Sequence, residues 1–384
     1  MKQPTLFLIT LASLSGAAFP ARDIAGSWQG KLLPSWETGS LHVHRILLTI
    51  SKAESGWGQF DVQHTPVAVR ITGDQLEQML AAARGKPDRK VAEQLSGVEL
   101  TDRLSAARLS RCVADLRGPL AKQALMVLAD KSAFLDPPAE DIPTMEEPDI
   151  EAQRHMILLT VDYVNKTIHQ LPNLFAARNT LSFEEDLSAA KPLQPMGKFS
   201  AIVLYRDGEE QFHSASFHSN QQGQHPNLFS SRVPGLTTSG EFGPILGTAI
   251  VDASQGDMVW SRWEQGAGGP EAVFRYAVTA EKSHYTVNEQ YSGYRGEIAI
   301  DPATGTILRL VLRADPEPGD ALLRADILVE YGPVELGGKT YICPVRGVAI
   351  SRTLMWQWLN DVVFDQYHLY RASARVLPGF NEIP

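Results

Sequence analysis

The C-terminal half of the chain consists mostly of short segments in which apolar and polar residues alternate. Turn-forming Gly, Pro, Asn and Asp residues separate most of these segments. An alternation with a period of two places apolar side chains on one face of a β-strand. The pattern predicts a large antiparallel sheet built from the segments TLSFEE, SAIVLYRD, TAIVDA, MVWSRWEQ, AVFRYAVT, HYTVNEQ, GEIAI, TILRLVLRA, ADILVEYG, YICPVRGVAIS and DVVFDQYHLYRASARV.

One amphipathic helix precedes these strands. Asp149 is a suitable N-terminal cap, and Pro172-Asn173 ends the helical pattern. The apolar residues between them recur at helical spacing and form one stripe: Ile157, Val161, Val164, Ile168 and Leu171. We expect this stripe to pack on the inner face of the sheet. The predicted fold class is α+β, in which a large curved antiparallel sheet forms an unclosed barrel wrapped against a helix.

Residues 301–306, DPATGT, resemble in part the segment that carries an aspartyl-phosphate in ion pumps. However, Ile298 and Ile300 before the segment and Leu308 and Leu310 after it alternate with polar residues. Alternation on both sides of Asp-Pro-x-x-Gly is typical of a turn between two strands. We therefore predict that Asp301 is a turn residue. Three polar residues fall on the other face, which predicts a half-buried hairpin: Glu297, Arg309 and Arg313.

The first 18 residues have the pattern of an export signal. Lys2 provides a positive charge, residues 5–18 are largely apolar, and small residues at 15–18 offer a cleavage site. The apolar run is too short for a membrane-spanning helix, which needs about 20 residues. The pattern predicts removal of a signal peptide and a periplasmic or secreted protein without an integral membrane segment.

Three further zones lie between this segment and the large sheet. Residues 23–72 alternate as strands and predict a small β module. Residues 73–135 contain one-sided apolar stripes and predict helices, with Ser96 and Glu99 at the spacing of a capping box. Residues 136–148 are rich in acidic residues and proline, which predicts an extended linker. The C-terminal domain then covers residues 149–384.

The charge of the chain bears on its partners, and its cysteine content bears on disulfides and redox motifs. The net charge is −9, and no basic patch with interleaved aromatic residues occurs, so we expect no nucleic-acid partner. Cys112 and Cys343 are the two cysteines of the chain. They could form one disulfide or remain two separate buried thiols, and their spacing excludes a Cys-x-x-Cys motif. The sequence indicates no cofactor and leaves the oligomeric state open.

Motifs of known catalytic chemistry are missing from the sequence. It contains no G-x-S-x-G, no H-E-x-x-H and no phosphate-binding glycine loop. Histidines offer one alternative, because two His residues two apart on a strand can share a metal ion. The candidates are His42, His44, His213, His218 and His225. The polar surroundings favour loop and surface positions for them, because no carboxylate lies nearby at ligand spacing.

The region from 150 to 377, about 60% of the chain, resembles the superfamily of periplasmic lipoprotein carriers and outer-membrane lipoprotein-sorting proteins. A helix comes first, and a strand then ends in Asp-Pro-x-Thr-Gly. A later hairpin carries further matching positions: Tyr331, Val334, Gly337 or Gly338, and Pro344. The whole chain is also similar to a group of uncharacterised exported proteins of soil bacteria, through DIAGSWQG, LADKSAFLDPP, LPNLFAARNTLSFE and GEFGPILGTAIVDA. That group has no assigned activity.

The carrier resemblance implies an apolar concave face that holds acyl chains, with a helix across its opening. It therefore favours an exported, non-catalytic protein that binds a hydrophobic, lipid-like ligand or an envelope partner. The predicted ligand-binding side chains are Val164, Ile168, Trp260, Phe274, Tyr276, Ile300 and Leu310. The alternatives are a structural or interaction protein of the envelope, whose sheet is filled by its own side chains, and a metal-assisted hydrolase that uses the histidines.

Overall fold

The computed structural model describes residues 26–32, 44–52, 58–66, 68–187, 193–219, 238, 240–255, 257–287, 290–316 and 322–370. The predicted export signal lies outside these residues. So do His42, His225 and the side chains of His44, His213 and His218. Among the helices that are described, none combines the length and apolar character needed to cross a membrane.

The chain divides into two compact units, Met1–Val67 and Ala68–Pro384. The first unit contains three antiparallel strands in the order β1-β2-β3. Their bounds are Gly26–Leu32 for β1, His44–Lys52 for β2 and Gly58–Pro66 for β3. The fourth segment predicted as a strand, VAVRIT, falls in the second unit except for its first residue, Val67.

The second unit begins with a helical layer. Its elements are β4 (Val69–Ile71), α1 (Gly73–Ala82), α2 (Asp88–Ser96), β5 (Val98–Leu100), α3 (Ala106–Asp115) and α4 (Pro119–Ser132). Strand β4 pairs in parallel with β5. The predicted capping box at Ser96 is wrong, because Ser96 is the last residue of α2 and not the cap at the start of a helix. Its hydroxyl donates to the Ala92 carbonyl. The capping box lies instead at Thr72 and Gln75, which exchange hydrogen bonds at the start of α1.

The large sheet follows helix α5 (Ile150–Gln170). Its strands are β6 (Leu174–Asp186), β7 (Gln194–Arg206), β8 (Glu209–Ser219), β9 (Asp257–Gly266), β10 (Gly269–Val278), β13 (Gly293–Ile300), β14 (Ile307–Asp315), β15 (Leu322–Leu336), β16 (Lys339–Thr353) and β17 (Trp356–Leu369). Two short strands, β11 (Thr286–Val287) and β12 (Gln290–Tyr291), pair only with each other among the described residues.

The ten strands are antiparallel and follow the order β8-β7-β6-β17-β16-β15-β14-β13-β10-β9. Strands β8 and β9 are the two edges, and within the described residues they do not pair with each other. The sheet is therefore not closed. The predicted α+β class with an unclosed antiparallel sheet is confirmed.

One predicted strand, TAIVDA, is wrong. These residues belong to helix α6 (Pro244–Gln255), which lies between β8 and β9 in the chain. Proline is favoured in the first turn of a helix because it has no N–H to leave unpaired there. The buried apolar residues of α6 follow helical spacing: Ile245, Leu246, Ala249, Ile250 and Ala253. Their tertiary packing outweighs the β propensity of the Ile-Val pair.

The two faces of the sheet are both covered in its β9 to β16 part. Helices α5 and α6 pack on one face, which we call the inner face. The helical layer packs on the other, the outer face, where Phe134 contacts a cluster formed with Val311, Leu328 and Val348. The prediction that the hairpin is only half buried is therefore wrong, because its polar face is also largely buried. The side chains of Glu297 and Arg309 are only 16% and 12% exposed, because the helical layer covers them.

Candidate ligand-binding site

The turn at residues 301–306 joins β13 to β14. The Asp301 carboxylate accepts hydrogen bonds from the N–H groups of Ala303 (2.8 Å) and Thr304 (3.2 Å). The Asp301 carbonyl accepts one from the Gly305 N–H (2.9 Å). Gly305 has a φ of +70°, in the left-handed region. The predicted role of Asp301 as a turn residue is confirmed, and its Oδ1 atom accepts both of the hydrogen bonds from these backbone N–H groups.

Six of the seven predicted ligand-binding residues come together between α5, α6 and the inner face. We call this region the inner chamber; its core comprises Met156, Val164, Ile245, Leu246, Ala249, Ile250, Ala253, Ala272, Phe274, Tyr276, Val278, Tyr294, Ile298, Ile300, Ile307, Leu310, Leu312, Val329 and Tyr331. Trp260 is partly buried and packs against this core. The side chain of Ile168 lies outside the described residues.

Aromatic side chains pack closely inside the inner chamber. The rings of Trp260 and Phe274 meet edge to face with centroids 5.5 Å apart. Tyr276 lies across Gly296 on the neighbouring strand, and its hydroxyl donates to the Val311 carbonyl (2.7 Å). A side chain at Gly296 would lie 2.7 Å from the Tyr276 hydroxyl, so glycine is needed for this arrangement. Among the described residues, the core side chains of the inner chamber are buried and packed against one another.

Helix α6 is held near its C-terminal end by a buried carboxylate. Asp252 is fully buried and accepts hydrogen bonds from the Tyr294 hydroxyl (2.8 Å) and the His284 backbone N–H (2.8 Å). The Nδ1 atom of His284 lies 2.6 Å from the other Asp252 oxygen. Because Tyr294 belongs to the core of the inner chamber, this cluster fixes α6 against β13.

A second polar cluster lies just before α6. Arg178 and Glu241 form a buried ion pair of 3.0 Å, with side chains 4% and 3% exposed. Glu210 accepts the N–H groups of Gly240 (3.1 Å) and Phe242 (3.2 Å). Burial, followed by the charge of Glu241, raises the pKa of Glu210 to about 7, against the lowering effect of these two N–H groups.

The sequence analysis did not identify these two polar clusters. One signal for the second was present, because Arg178 shares a strand face with Leu174 and Ala176. An arginine on an apolar face needs a buried partner. The partner, Glu241, lies 63 residues away in the chain, and sequence spacing gives no means of finding it.

The outer face carries a network of buried charges. Glu264 accepts two hydrogen bonds from Arg309 (2.8 and 3.0 Å) and also pairs with Arg103 of the helical layer. Glu297 pairs with Arg262 (2.7 Å) and Arg275 (3.0 Å). Burial alone would raise the pKa of Glu297, but the hydrogen bonds and charges of these two arginines hold it at about 2. The network joins the helical layer to the sheet.

The two cysteines do not form a disulfide. Both are free and buried, Cys112 among the helices of the helical layer and Cys343 on the sheet. Burial raises the pKa of the Cys343 thiol to about 12, which keeps it protonated. Of the alternatives left open by the sequence, the structure contains two separate buried thiols.

The part of the chain that the structure describes contains no group of three His, Cys, Asp or Glu side chains placed to hold a metal ion. The five candidate histidines do not enter into that statement, since their side chains lie outside the description. The histidine hypothesis therefore stays a sequence-based alternative.

Comparisons with known proteins give similarity at the level of structure. No protein-family model and no curated protein match the chain. A DUF1329 family protein from Desulfovibrio piger matches with 9% identity and a TM-score of 0.31, over 58% of this chain and 94% of its own. A putative outer membrane lipoprotein-sorting protein domain from Vibrio parahaemolyticus matches with 12% identity and a TM-score of 0.30, over 56% and 93%.

The second of these proteins has the name of the lipoprotein-sorting class that the sequence resembles. At TM-scores near 0.3, neither a ligand nor an activity is carried over to this chain.

Proposed function

We propose that this chain is an exported, non-catalytic binding protein that takes a hydrophobic, lipid-like ligand into the inner chamber. The observation that carries the proposal is the single apolar cluster formed by α5, α6 and the inner face. Five of the predicted ligand-binding residues belong to its core, and each is at most 3% exposed: Val164, Phe274, Tyr276, Ile300 and Leu310.

Ligand entry requires one of the two helices to move, because the described core side chains of the chamber are buried and packed against one another. Helix α6 is held by polar clusters near both ends, through Asp252 and through Glu241. Helix α5 contributes Met156 and Val164 to the core, and both are apolar. We therefore propose that α5 is the movable cover and that the ligand replaces its contacts with the sheet.

The exchange is feasible on energetic grounds. Burial of a side chain such as Val or Met stabilises a protein by about 1.5–3 kcal/mol, and each CH₂ of an acyl chain gains about 0.8 kcal/mol on burial. An acyl chain of about ten CH₂ groups would thus gain about 8 kcal/mol, which offsets the loss of the two core side chains of α5, Met156 and Val164. A ligand of this length is what the proposal requires.

The test is a titration of the full chain with a fluorescent fatty acid. Two matched variants place the same bulky side chain on the two sides of α5: Val164→Trp at a 2% exposed position and Leu158→Trp at a 66% exposed position. We expect saturable binding of one probe per chain, unchanged in the Leu158 variant and at least tenfold weaker in the Val164 variant.

A further variant keeps the test decisive if the Val164 variant does not fold. Leu310→Ala removes buried volume from the chamber, and we expect it to bind the probe at least as tightly as the parent chain. Absence of saturable binding in both the parent chain and the Leu310 variant would overturn the proposal. It would favour the alternative of a structural envelope protein, in which the inner face of the sheet is filled by the protein's own side chains.

A further inference from the structure

Two aspartates lie buried between the helical layer and the outer face of the sheet. Asp130 belongs to the last turn of α4 and is fully buried, and Asp361 of β17 is 8% exposed. Helix α4 turns this side towards the sheet, since Val127, one turn before Asp130, packs against the apolar cluster of the outer face. We call the two residues the aspartate pair.

One arginine is shared by both members of the aspartate pair. Arg346 of β16 donates from Nη2 to Asp130 Oδ1, and its Nε lies 3.7 Å from Asp361 Oδ1. The second distance is too long for a hydrogen bond. Asp130 Oδ2 and Asp361 Oδ1 are accordingly buried without a hydrogen-bond partner among the described residues. Because a buried ionised carboxylate needs such partners, this arrangement disfavours a negative charge on both aspartates at once.

The neighbouring strands do not supply a second cation to the pair. From β15, Glu330 adds a third carboxylate, which is 39% exposed and lies 3.7 Å from Arg346 Nη1. Arg309 of β14 lies opposite Glu330, but both of its Nη atoms bind Glu264. On β6, the residue opposite the sheet member of the pair is the uncharged Leu181.

The helical layer does not supply a second cation either. On α4 itself, Lys122 is exposed, and Lys131 lies 3.7 Å from Glu99 of β5. The core of the helical layer meets the opposite side of α4, which carries the apolar Leu125 and Leu128. Within the described part of the chain, two buried carboxylates therefore face one guanidinium group.

We propose that the aspartate pair binds one proton and that this proton fastens the end of α4 to the sheet. With the proton bound, the pair carries one negative charge, which Arg346 neutralises. When the proton leaves to solvent, two buried like charges repel each other and one of them has no partner, so the end of α4 separates from the sheet. The pair lies on the opposite face from the inner chamber, and the proposal does not depend on the lipid-binding function.

The direction of the pKa shifts agrees with this geometry. Burial, followed by the charge of Asp361, raises the pKa of Asp130 to about 8, against the lowering effect of Arg346. Burial also raises the pKa of Asp361. The docked state of α4 therefore binds the proton more tightly than a separated state, so docking is strongest in acid and weakens as the pH rises to about 8.

The test is amide hydrogen exchange of the full chain, followed by mass spectrometry in the parent and in Asp130→Asn. Asparagine is neutral at every pH, and comparison at equal pH cancels the pH dependence of intrinsic exchange. We expect the protection of Pro119–Ser132 in the parent, relative to the variant, to fall at least about tenfold between about pH 6 and about pH 9. A ratio that stays constant over this interval would overturn the proposal.

A second variant keeps the test decisive if Asp130→Asn does not fold. In Asp361→Asn, Asp130 ionises beside one negative charge fewer, so the protection of α4 in the parent, relative to this variant, should also fall as the pH rises.

Two control variants should keep the pH dependence of the parent. Asp115→Asn removes a carboxylate at the end of α3 whose side chain is 44% exposed. Lys191→Gln removes the one charge of residues 188–192, which lie outside the described residues and precede Leu193, a neighbour of the outer-face cluster. Loss of the pH dependence in either control would assign it to that residue and overturn the role of the aspartate pair.

Discussion

Replacement of Gly305 by alanine tests how the β13–β14 turn meets helix α5. The φ of +70° strains any residue with a side chain, at a cost of about 1–2 kcal/mol. An added Cβ would also lie 2.5 Å from the Thr160 N and 2.6 Å from the Leu159 O, both backbone atoms of α5. Crowding of this kind typically costs about 1–3 kcal/mol more. We therefore expect Gly305→Ala to lower the free energy of unfolding by about 2–5 kcal/mol.

Gly85 provides the matched control. Its φ is +85°, but no atom lies within 4 Å of the position of an added Cβ. Gly85→Ala should therefore cost only the strain of the left-handed backbone, about 1–2 kcal/mol. The change in unfolded-state entropy from glycine to alanine is common to both variants and cancels in the comparison. Urea unfolding of the two variants measures the difference, and equal costs would refute the packing of the turn on α5.

Three further predictions concern charged residues. Asp301→Asn keeps the acceptor for the turn N–H groups, so unfolding in urea should show a loss below about 1 kcal/mol; a larger loss would contradict the turn role. Glu264→Ala leaves Arg309 buried without its partner and should cost about 3–5 kcal/mol; a cost near zero would show that the network is solvated. The raised pKa of Glu210 means that the folded state binds its proton more tightly than the unfolded chain, so stability falls as pH rises from about 4.5 to about 7. Glu210→Gln should remove this decline, so the difference in unfolding free energy between variant and parent should increase over that interval, and a constant difference would count against the shift.

The sequence predicted a secondary-structure element correctly where its pattern of apolar and polar side chains is typical of only one type of element. Alternation around Ile298 and Leu310 predicted the hairpin, because a strand with one apolar face has a period of two. It failed for Ile250 in α6, where an Ile-Val pair favours a strand locally and packing against the sheet imposes a helix. A short apolar segment of this kind does not distinguish the two structures.

The outer face could not be predicted for a different reason. Glu297 and Arg309 alternate with apolar residues as solvent-facing residues do, and nothing local to them indicates the helical layer that covers them. Arg103 of the helical layer pairs with Glu264, which also binds Arg309, and Arg103 and Glu264 are 161 residues apart in the chain. Ion pairs between residues far apart in the chain form only when the helical layer packs on the sheet. A single sequence does not show how these two layers pack. The part of the inner chamber that α5 and the sheet form could be predicted, because apolar periodicity defines it, but the part that α6 forms could not.

The most direct test of the proposed function is native mass spectrometry of the full chain purified from the cells that produce it. The account predicts one lipid-like molecule per chain, retained in the parent and lost when Trp replaces Val164 but not when it replaces Leu158. The mass of the bare chain in every preparation, with no uptake of added fatty acid, would contradict it.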